Sequence, residues 1–517
     1  MLGEAPTLVA SPGSMPGVRP RPILVQRHSR RFRLAFLLLF SFLASLYLLT
    51  SGGHTSSNDD EEMYYMTQGL VDRGSLALPP VEGKAFFVAP RSDGKYYPAS
   101  SHGIVTSVLA IPFYVAGEGV ARLFDPAYKD FITHIAVTAV TALSTAGAAV
   151  VVSSIAAELG ATAGGAIGLG ALFGLCTIAW PYSKYFWSEP AAGLMFLLAV
   201  LAAIRARRRD SIRAWALSSL FMLLALGARP AMIASYAIVG VYACLGIWEG
   251  RRICRSKLRN TALGLGGPLA AGLVGLGGYY LLGLLLGKPP AWVAGLIGNA
   301  WAVASHTFNS DLWAGLYGLL LSPGKSVFLY SPPLIAGAVA IPALWRKAWR
   351  EAVLLVGLFG LQVFLMARTA VWPGDSAWGP RYLVPLTPYL LLPLAAWFRP
   401  GYEMRGWMRW GVAATAGVGL AVQLFAVATN YDTYVYVTGG PSGPGAERRL
   451  YQPGSSPLLA APRQLVHGLE AYLRPLRPGE YSLAGGFYPG ETPQNVLPRW
   501  TDGRGMIRFV AGSAVQG

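Results

Sequence analysis

Charged residues and cysteine are scarce in this sequence. Asp, Glu, Lys and Arg make up 13% of the 517 residues, about half of the share that is usual in soluble domains. Hydrophobic residues make up 53%, and the mean hydropathy is +0.43. These values exclude a soluble enzyme and a disordered chain. The three cysteines, Cys176, Cys244 and Cys254, exclude a secreted disulfide scaffold, and their spacing matches no metal motif such as CxxC.

Long apolar runs are abundant and predict an all-α polytopic membrane protein. A helix needs about 20 mostly apolar residues to cross a bilayer. We predict eleven crossings, at residues 33–50, 131–157, 161–180, 189–205, 212–228, 231–249, 261–287, 326–345, 351–370, 381–398 and 409–429. A twelfth apolar stretch, 104–123, contains Pro112, Glu118 and Arg122 and follows a polar segment. Gly170 and Gly174 in the third crossing, like Gly164 and Gly168, have the spacing of helix-packing glycines.

The basic residues predict the orientation of these crossings. A net charge of +17 suggests nucleic acid in a soluble protein, but membrane proteins concentrate Lys and Arg in cytoplasmic loops, so no nucleic-acid partner is expected. The basic clusters lie within residues 19–31, 205–213, 251–259, 346–350 and 399–409. All of them fall on one side only if 104–123 lies on the membrane surface. We therefore predict a plasma-membrane protein with a cytoplasmic N-terminus and an extracytoplasmic C-terminus.

This topology divides the chain into three parts. They are a cytoplasmic, largely disordered N-terminus (1–32), a transmembrane domain (33–429) whose first extracytoplasmic loop is 51–130, and a small extracytoplasmic C-terminal region (430–517). The last part is rich in Pro and Gly, and we expect a short helix over 462–474 and short strands within 481–510.

Four consecutive acidic residues, Asp59, Asp60, Glu61 and Glu62, follow the first predicted crossing. A solvated loop would explain them, but an outer loop needs no acidic cluster for its topology, and an amphipathic run follows. A carboxylate held there can act as a general base on an acceptor hydroxyl. Neighbouring carboxylates can instead hold a divalent metal against a phosphate. The sequence does not decide between a general base and a metal-binding cluster.

Cations adjoin the predicted crossings on the outer side. They are Lys184, Arg229, Lys325 and Arg381. Arg offers phosphate a two-pronged donor and Lys a point charge, so these four are candidates for binding a phosphate. The alternative is that they anchor helix ends to lipid headgroups. Possible auxiliary residues are Asp59, Glu62, His102, Glu189, His306 and Asp375.

Several short motifs occur in a characteristic order. They are the acidic cluster, DGKYYP…HG…IPFY, WPYSKYFWSEP, LLSPGKSVFLYSP and WGPRY. Together they resemble the GT-C glycosyltransferases, the polyprenyl-phosphate-sugar-dependent enzymes related to protein O-mannosyltransferases and to the aminoarabinose transferase of lipid A. The resemblance extends loosely over the first ten predicted crossings.

The resemblance implies a GT-C-like helical bundle with juxtamembrane helices in the first outer loop, 104–123 among them. It implies transfer of a sugar, with inversion, from a polyprenyl-phosphate carrier to a hydroxyl acceptor on the extracytoplasmic face. Asp60 matches the catalytic acid of these enzymes, with Glu61 as its neighbour. The sugar, the acceptor (lipid, glycan or protein), the need for a metal and the oligomeric state stay open.

Two other functions remain as alternatives. A secondary transporter would place ionisable groups near the middle of the bilayer, often in inverted repeats, whereas the predicted crossings carry such groups only near their ends. A non-catalytic scaffold of envelope polysaccharide assembly would use the same acids and cations to bind partners without turnover.

Overall fold

Most of the residues that the computed structural model describes are helical. The described residues are 30–52, 57–79, 88–90, 96–98, 103–249, 252–268, 270, 308–374, 377–431, 434–435, 438–440, 443–473, 481–487 and 501–509. The α-helices are α1 (Arg30–Leu49), α2 (Asn58–Arg73), α3 (Ile104–Ala121), α4 (Lys129–Glu158), α5 (Ala163–Cys176), α6 (Ala179–Tyr182), α7 (Ser188–Arg209), α8 (Ile212–Ala228), α9 (Ser235–Ile247), α10 (255–268), α11 (Leu312–Leu320), α12 (Val327–Tyr330), α13 (Pro333–Ala367), α14 (Thr387–Leu391), α15 (Gly406–Ala428), α16 (Pro444–Tyr451) and α17 (Pro457–Leu473).

Shorter elements complete the described part of the chain. The 3-10 helices are Pro126–Tyr128, Pro230–Met232, Arg381–Leu386, Leu392–Ala396 and Pro453–Ser455. The strands form three antiparallel pairs, β1 (Val88–Pro90) with β2 (Tyr96–Pro98), β3 (Trp248–Glu249) with β4 (Arg252–Ile253), and β5 (Tyr481–Phe487) with β6 (Thr501–Phe509). Helix α17 and the β5–β6 pair confirm the helix and the strands expected in the C-terminal region.

The chain is a mainly helical, polytopic membrane protein. Seven helical segments among the described residues are long and apolar enough to cross a membrane: Arg30–Leu49, Ile104–Ala121, Pro126–Glu158, Ser188–Arg209, Pro230–Ile247, Pro333–Ala367 and Gly406–Ala428. Helices α5 and α8 are apolar but shorter. The predicted fold class is thus confirmed in this coarser form, while the number of eleven crossings stays a prediction. Most of the predicted crossing 261–287 lies outside the described residues.

Two predicted crossings, 326–345 and 351–370, lie largely within the single helix α13. Its backbone is interrupted at Ala348, where φ is −149° and ψ is 60°. Ala348 stands between Arg346 and Arg350, so the break falls in the basic stretch that was predicted to separate the two crossings. The arms of α13 on either side of the break therefore correspond to the two predicted crossings.

The predicted helical crossing 381–398 is wrong as a continuous α-helix. The chain forms 3-10 turns on both sides of the short helix α14. Pro385, Pro388 and Pro393 have no backbone N–H to donate, which prevents a regular helical hydrogen-bond ladder. The segment is nevertheless buried in the main apolar core against α4, α5, α7 and α13. Irregular backbone is tolerated at membrane depth where protein surrounds it in this way.

The two ends of the bundle differ in their polar contacts. At one end, the backbone N–H of Gly52, just after α1, donates to the carbonyl of Lys184 at 3.0 Å, and α2 lies nearby. We call this the α2 end. At the other end, Glu158 binds Arg205 at 2.8 Å, and Glu351 binds Arg208 at 3.0 Å. We call this the arginine end. Among the described residues, the basic clusters at 205–213 and 346–350 therefore lie at the opposite end of the bundle from Lys184 and the start of α2.

Helix α3 packs at the α2 end beside a protruding part of α4. Thr138 of α4 lies 3.1 Å from Ser51 through their hydroxyls, so the first nine residues of α4 extend about 13 Å past the end of α1. The N–H of Gly103, which precedes α3, donates to Ala228 at the end of α8 at 3.1 Å. A Cβ on Gly117 of α3 would lie 2.7 Å from Ala136. The prediction that 104–123 is a surface helix fits this packing but stays a prediction.

Close packing of α5 explains two of its four spaced glycines. A Cβ on Gly170 would lie 2.1 Å from the Ser153 hydroxyl of α4, and one on Gly174 would lie 2.7 Å from Leu43 of α1. Gly164 and Gly168 have open space at the Cβ position. Only the second pair therefore acts as a packing motif.

Candidate active site

The acidic cluster forms the first turn of α2. The hydroxyl of Ser57 accepts the N–H of Asp60 at 3.3 Å and donates to the Asp60 carboxylate, so Ser57 caps the helix. Carboxylates in a first helical turn also interact favourably with the helix dipole. At its other end α2 stops at Gly74, which takes a left-handed conformation (φ 59°). The local sequence therefore specifies where the acids stand along α2.

Three of the four acidic residues are buried and Asp59 is partly buried, which excludes the solvated loop that was weighed as an explanation. Asp60 is 0% exposed, Glu62 is 1% exposed and Glu61 is 8% exposed. Their burial comes from packing of α2 against α3 and α4, where Met63, Tyr64 and Tyr114 form an apolar cluster. Charges are costly to bury without partners, so the acids have a specific role in this end of the bundle.

Four charged side chains form a continuous chain of ion pairs. Arg381 Nη2 lies 2.6 Å from Asp59 Oδ2, and Arg381 Nε lies 2.6 Å from Glu189 Oε1. The same Glu189 oxygen lies 2.6 Å from Arg229 Nη1. We call these residues, Asp59, Arg381, Glu189 and Arg229, the ion-pair chain. It connects the start of α2 with the start of α7, the end of α8 and the segment that follows α13.

Aromatic rings enclose the ion-pair chain. The Arg381 guanidinium lies over the Trp187 ring at 4.5 Å, and the Arg229 guanidinium lies over the Tyr382 ring at 4.8 Å. Such stacking stabilises a cation on a ring face. Burial raises the pKa of the nearby Tyr182 phenol well above its usual range, and the negative charge of Glu189 raises it further. Tyr182 therefore stays a neutral donor, and its hydroxyl donates to the carbonyl of Trp378 at 2.9 Å.

The ion-pair chain changes the interpretation of three predicted residues. Arg229 and Arg381, predicted to bind phosphate, bind carboxylates here, and their phosphate role stays a prediction. Glu189 lies in the first turn of α7 beside Pro190, and its carboxylate holds two guanidiniums. These contacts make Arg381 and Arg229 positioning residues for Asp59 and Glu189.

The two predicted lysines line neighbouring cavities at the α2 end. Lys184 Nζ donates to the Val427 carbonyl at 3.0 Å, and Lys325 Nζ donates to the Ala377 carbonyl at 2.6 Å. A cavity of about 40 Å³ includes Lys184 in its lining, and one of about 160 Å³ includes Lys325. Tyr431 lines both cavities. The two cavities therefore share one aromatic side chain.

Two tryptophans that the sequence analysis gave no role also line the smaller cavity. Trp187 and Trp378 are buried, and among the described residues their indole N–H groups have no hydrogen-bond partner. A buried donor without a partner is uncommon in proteins. Both residues belong to quoted motifs, WPYSKYFWSEP and WGPRY, so the signal was present in the sequence. They supply donors and flat apolar faces beside Lys184.

His134 of α4 is a further residue beside the acidic cluster, and its sequence context predicted no role for it. Its Nε2 lies 3.6 Å from Glu61 Oε2, and its ring stacks on Tyr64 at 3.5 Å with an interplanar angle of 23°. Burial raises the pKa of the Tyr65 phenol, which lies in α2 next to Tyr64, and the Glu61 carboxylate raises that pKa further. Glu61 thus faces α4, whereas Asp59 faces Arg381. No sequence motif signals this contact, because His134 and Glu61 belong to different helices.

The described residues contain no group of three or more His, Cys, Asp or Glu side chains that could hold a metal ion. The contacts of the acidic cluster agree with this, because Asp59 binds Arg381, Asp60 binds Ser57 and Glu61 lies beside His134. The other predicted auxiliary residues, His102, His306 and Asp375, lie outside the described residues.

Comparisons with known proteins identify no family. No family model matches the chain, and no curated protein matches it. Among solved structures, the chain is similar to the crystal structure of the Archaeoglobus fulgidus oligosaccharyltransferase in complex with zinc and sulfate, with 12% sequence identity and a TM-score of 0.44. The alignment covers 82% of this chain and 58% of that one. The chain thus spans less than two thirds of that protein, and a similarity of this size identifies no activity.

Proposed function

We propose that the chain is a GT-C-type membrane glycosyltransferase that moves a sugar from a polyprenyl-phosphate carrier to a hydroxyl acceptor on the extracytoplasmic face. The observation that carries the proposal is the contact of Asp59 with Arg381. It holds the acid-rich start of α2 against the end of the bundle where Lys184 and Lys325 line cavities. A base and cations for a phosphate leaving group thus lie at one end of the molecule.

Asp60 is the proposed general base, with Glu61 as its neighbour. Its carboxylate accepts the proton of the acceptor hydroxyl while the hydroxyl oxygen attacks the anomeric carbon of the sugar. The bond between that carbon and the phosphate oxygen breaks, and the lipid phosphate leaves with the bonding electrons. Attack from the face opposite to the leaving group inverts the anomeric centre. Ser57, which donates to Asp60, fixes the orientation of the carboxylate.

Lys184 and Lys325 are the proposed ligands of the carrier phosphate. A lipid phosphate is already a good leaving group, so the site needs positive charge more than a strong general acid. The Val427 and Ala377 carbonyls hold the two ammonium groups in fixed positions, which is the preorganisation that electrostatic stabilisation requires. The indoles of Trp187 and Trp378 would contact the sugar or the first isoprene units. No step in this proposal uses a metal.

The enzyme class and the membrane topology in this proposal rest on the sequence. The order of the motifs resembles that of GT-C enzymes, and the separation of basic clusters from polar segments supports eleven crossings with a cytoplasmic N-terminus and an extracytoplasmic C-terminal region. The buried charged residues at the α2 end and at the arginine end lie at helix ends, in connecting segments or, for Glu351, three residues after the break in α13. Transporters more often place such groups near the middle of the bilayer, so this distribution favours an enzyme over a transporter.

A transfer assay with purified protein in nanodiscs tests the proposal. The protein is incubated with a panel of radiolabelled polyprenyl-phosphate sugars and a crude envelope extract. We expect label transfer with at least one donor, and a loss of about 10²–10⁴-fold in Asp60→Asn, which is the usual effect of losing a general base. The matched control is Glu403→Gln, an exposed acid at the arginine end.

The possible results separate the alternatives. Transfer that survives in Asp60→Asn keeps the enzyme class but moves the base to Asp59, Glu61 or Glu62. Failure of the wild-type protein to transfer label or to bind the carrier, with every donor, contradicts the glycosyltransferase proposal and favours transport or scaffolding.

A further inference from the structure

A groove at the arginine end is lined by apolar and positively charged side chains that have no role in the proposed function. It lies between the start of α1 and the ends of α4 and α7 and encloses a cavity of about 280 Å³. Phe32, Phe36 and Ala157 supply apolar walls, and Arg33, Arg205 and Arg209 supply guanidinium groups. We call it the arginine groove. It is at the opposite end of the bundle from Asp60, so it does not belong to the candidate active site.

The arginine groove has an excess of positive charge. Arg205 binds Glu158 at 2.8 Å. Within the part of the chain that the structure describes, Arg33 and Arg209 make no ion pair, and both are exposed. The residues that line the groove therefore include three guanidiniums and no carboxylate, and the Glu158 carboxylate that pairs with Arg205 also lies 3.8 Å from Arg208. The groove is electrostatically complementary to an anion.

The groove also adjoins an apolar surface. Leu34, Leu37 and Leu38 of α1 are 54%, 60% and 59% exposed. In a helix that crosses a membrane, such exposed leucines contact acyl chains. A ligand that matches both features has an anionic head group and a hydrocarbon tail.

We propose that the arginine groove binds an anionic phospholipid. Its phosphate contacts Arg33, Arg205 and Arg209, and an acyl chain lies along Phe32 and Phe36. Arg is suited to this role because its planar guanidinium makes paired hydrogen bonds to phosphate oxygens. Basic pockets between transmembrane helices are a known way of holding anionic lipid head groups. The proposal does not depend on the glycosyltransferase activity.

The first 29 residues of the chain are a poorer match for the groove. They contain three arginines, Arg19, Arg21 and Arg27, and one acid, Glu4, so their charge has the same sign as that of the groove. A neutral phospholipid would fill the apolar part but would leave the guanidiniums without a net negative partner. Charge complementarity therefore favours the anionic lipid.

Native mass spectrometry of the full-length protein tests this site. The protein is titrated with phosphatidylglycerol, with phosphatidylcholine of the same acyl chains, and with inorganic phosphate. We expect at least about tenfold tighter binding of phosphatidylglycerol than of the other two, because a charge-assisted contact and an apolar contact act together. Equal binding of the two lipids overturns the proposal, and so does binding of inorganic phosphate as tight as that of phosphatidylglycerol.

A pair of double variants locates the binding. Arg33→Gln with Arg209→Gln leaves the Arg205–Glu158 pair intact, and we expect it to bind phosphatidylglycerol about tenfold more weakly. The control is Arg405→Gln with Arg409→Gln, two exposed arginines at the same end that do not line the groove. Thermal unfolding of both variants checks that the fold is unchanged. Equal affinity of the two double variants contradicts the assignment.

A photoreactive benzoylphenylalanine in place of Phe36 identifies the occupant directly. We expect it to capture phosphatidylglycerol from liposomes that contain the full-length protein. Capture of a peptide from residues 1–29 instead would show that the chain itself fills the groove, and would overturn the proposal.

Discussion

Arg381 and Asp59 form an ion pair of 2.6 Å although 322 positions separate them in the chain. The same guanidinium holds Glu189 at 2.6 Å through its Nε. One side chain, 3% exposed, thus joins the start of α2 to the start of α7. The acidic cluster is therefore part of the buried end of the bundle, and its position depends on Arg381, which is distant from it in the sequence.

Replacing Arg381 by Gln should destabilise the protein strongly. The change removes the guanidinium that Asp59 and Glu189 share, although Glu189 keeps its contact with Arg229. Removing one partner of a buried ion pair typically costs about 3–5 kcal/mol. The measurement is thermal and denaturant unfolding of the purified protein in detergent. Arg122→Gln, at an exposed position after α3, is the control and should unfold like the wild type. Unfolding of Arg381→Gln at the wild-type midpoint would show that the ion-pair chain contributes little to stability.

Ser57 should affect both the start of α2 and the orientation of Asp60. Ser57→Ala removes the helix cap, a change that usually costs about 0.5–2 kcal/mol, and removes the hydroxyl that donates to Asp60. We expect faster hydrogen exchange of the first α2 amides together with slower sugar transfer. Ser57→Thr keeps a hydroxyl and should restore both properties. If Ala and Thr variants behave alike, the hydroxyl has no such role.

Lys184→Met and Lys325→Met should weaken donor binding. Each change removes a charge proposed to contact the carrier phosphate, and a hydrogen bond to a charged group contributes about 1.5–3 kcal/mol. We therefore expect roughly 10–100-fold weaker binding of the polyprenyl phosphate, measured by competition with labelled donor. Lys129→Met is the control, because Lys129 pairs with Glu118 at 2.7 Å at the tip of the α3–α4 pair. An unchanged affinity in both lysine variants would remove these residues from the donor site.

The sequence predicted local features of the site better than its long-range contacts. The amphipathic run predicted after the acids does lie in a helix, α2, and the acids form its first turn, because a cap residue and a first-turn carboxylate act on their immediate neighbours. The contact between Asp59 and Arg381 could not be predicted, since one sequence does not show which of several cations faces a given acid. The pairing of His134 with Glu61 was missed for the same reason.

The crossings, too, were predicted correctly where the signal is local and incorrectly where it depends on tertiary contacts. The basic stretch around Arg346 and Arg350 correctly predicted a break in an apolar run, because the charge of these residues can be read directly from the sequence. The stretch 381–398 was predicted as a helix from its hydropathy alone. Its three prolines are compatible with a buried, irregular segment only because other helices surround it, and that burial depends on the tertiary structure.

Gly103 should be intolerant of a side chain. A Cβ at this position would lie 1.7 Å from the carbonyl oxygen of Gly227, so Gly103→Ala must displace the start of α3 from the end of α8. Overpacking of this kind typically costs about 1–3 kcal/mol, to be measured by thermal unfolding and by protease sensitivity near residue 103. Gly119→Ala in the same helix meets no atom within 4 Å and should be neutral or slightly stabilising. Equal effects of the two changes would contradict the packing of α3 against α8.

The proposed orientation places the α2 end outside the cell. Ala127 and Glu403 are exposed at the α2 end and the arginine end respectively, so each can report its side of the membrane once it is changed to cysteine. In a background without Cys176, Cys244 and Cys254, an impermeant maleimide added to intact cells should label Ala127→Cys but not Glu403→Cys. After permeabilisation both should react. Labelling of Glu403→Cys alone in intact cells would reverse the topology and place the acidic cluster in the cytoplasm, where an extracytoplasmic lipid-linked donor could not reach it.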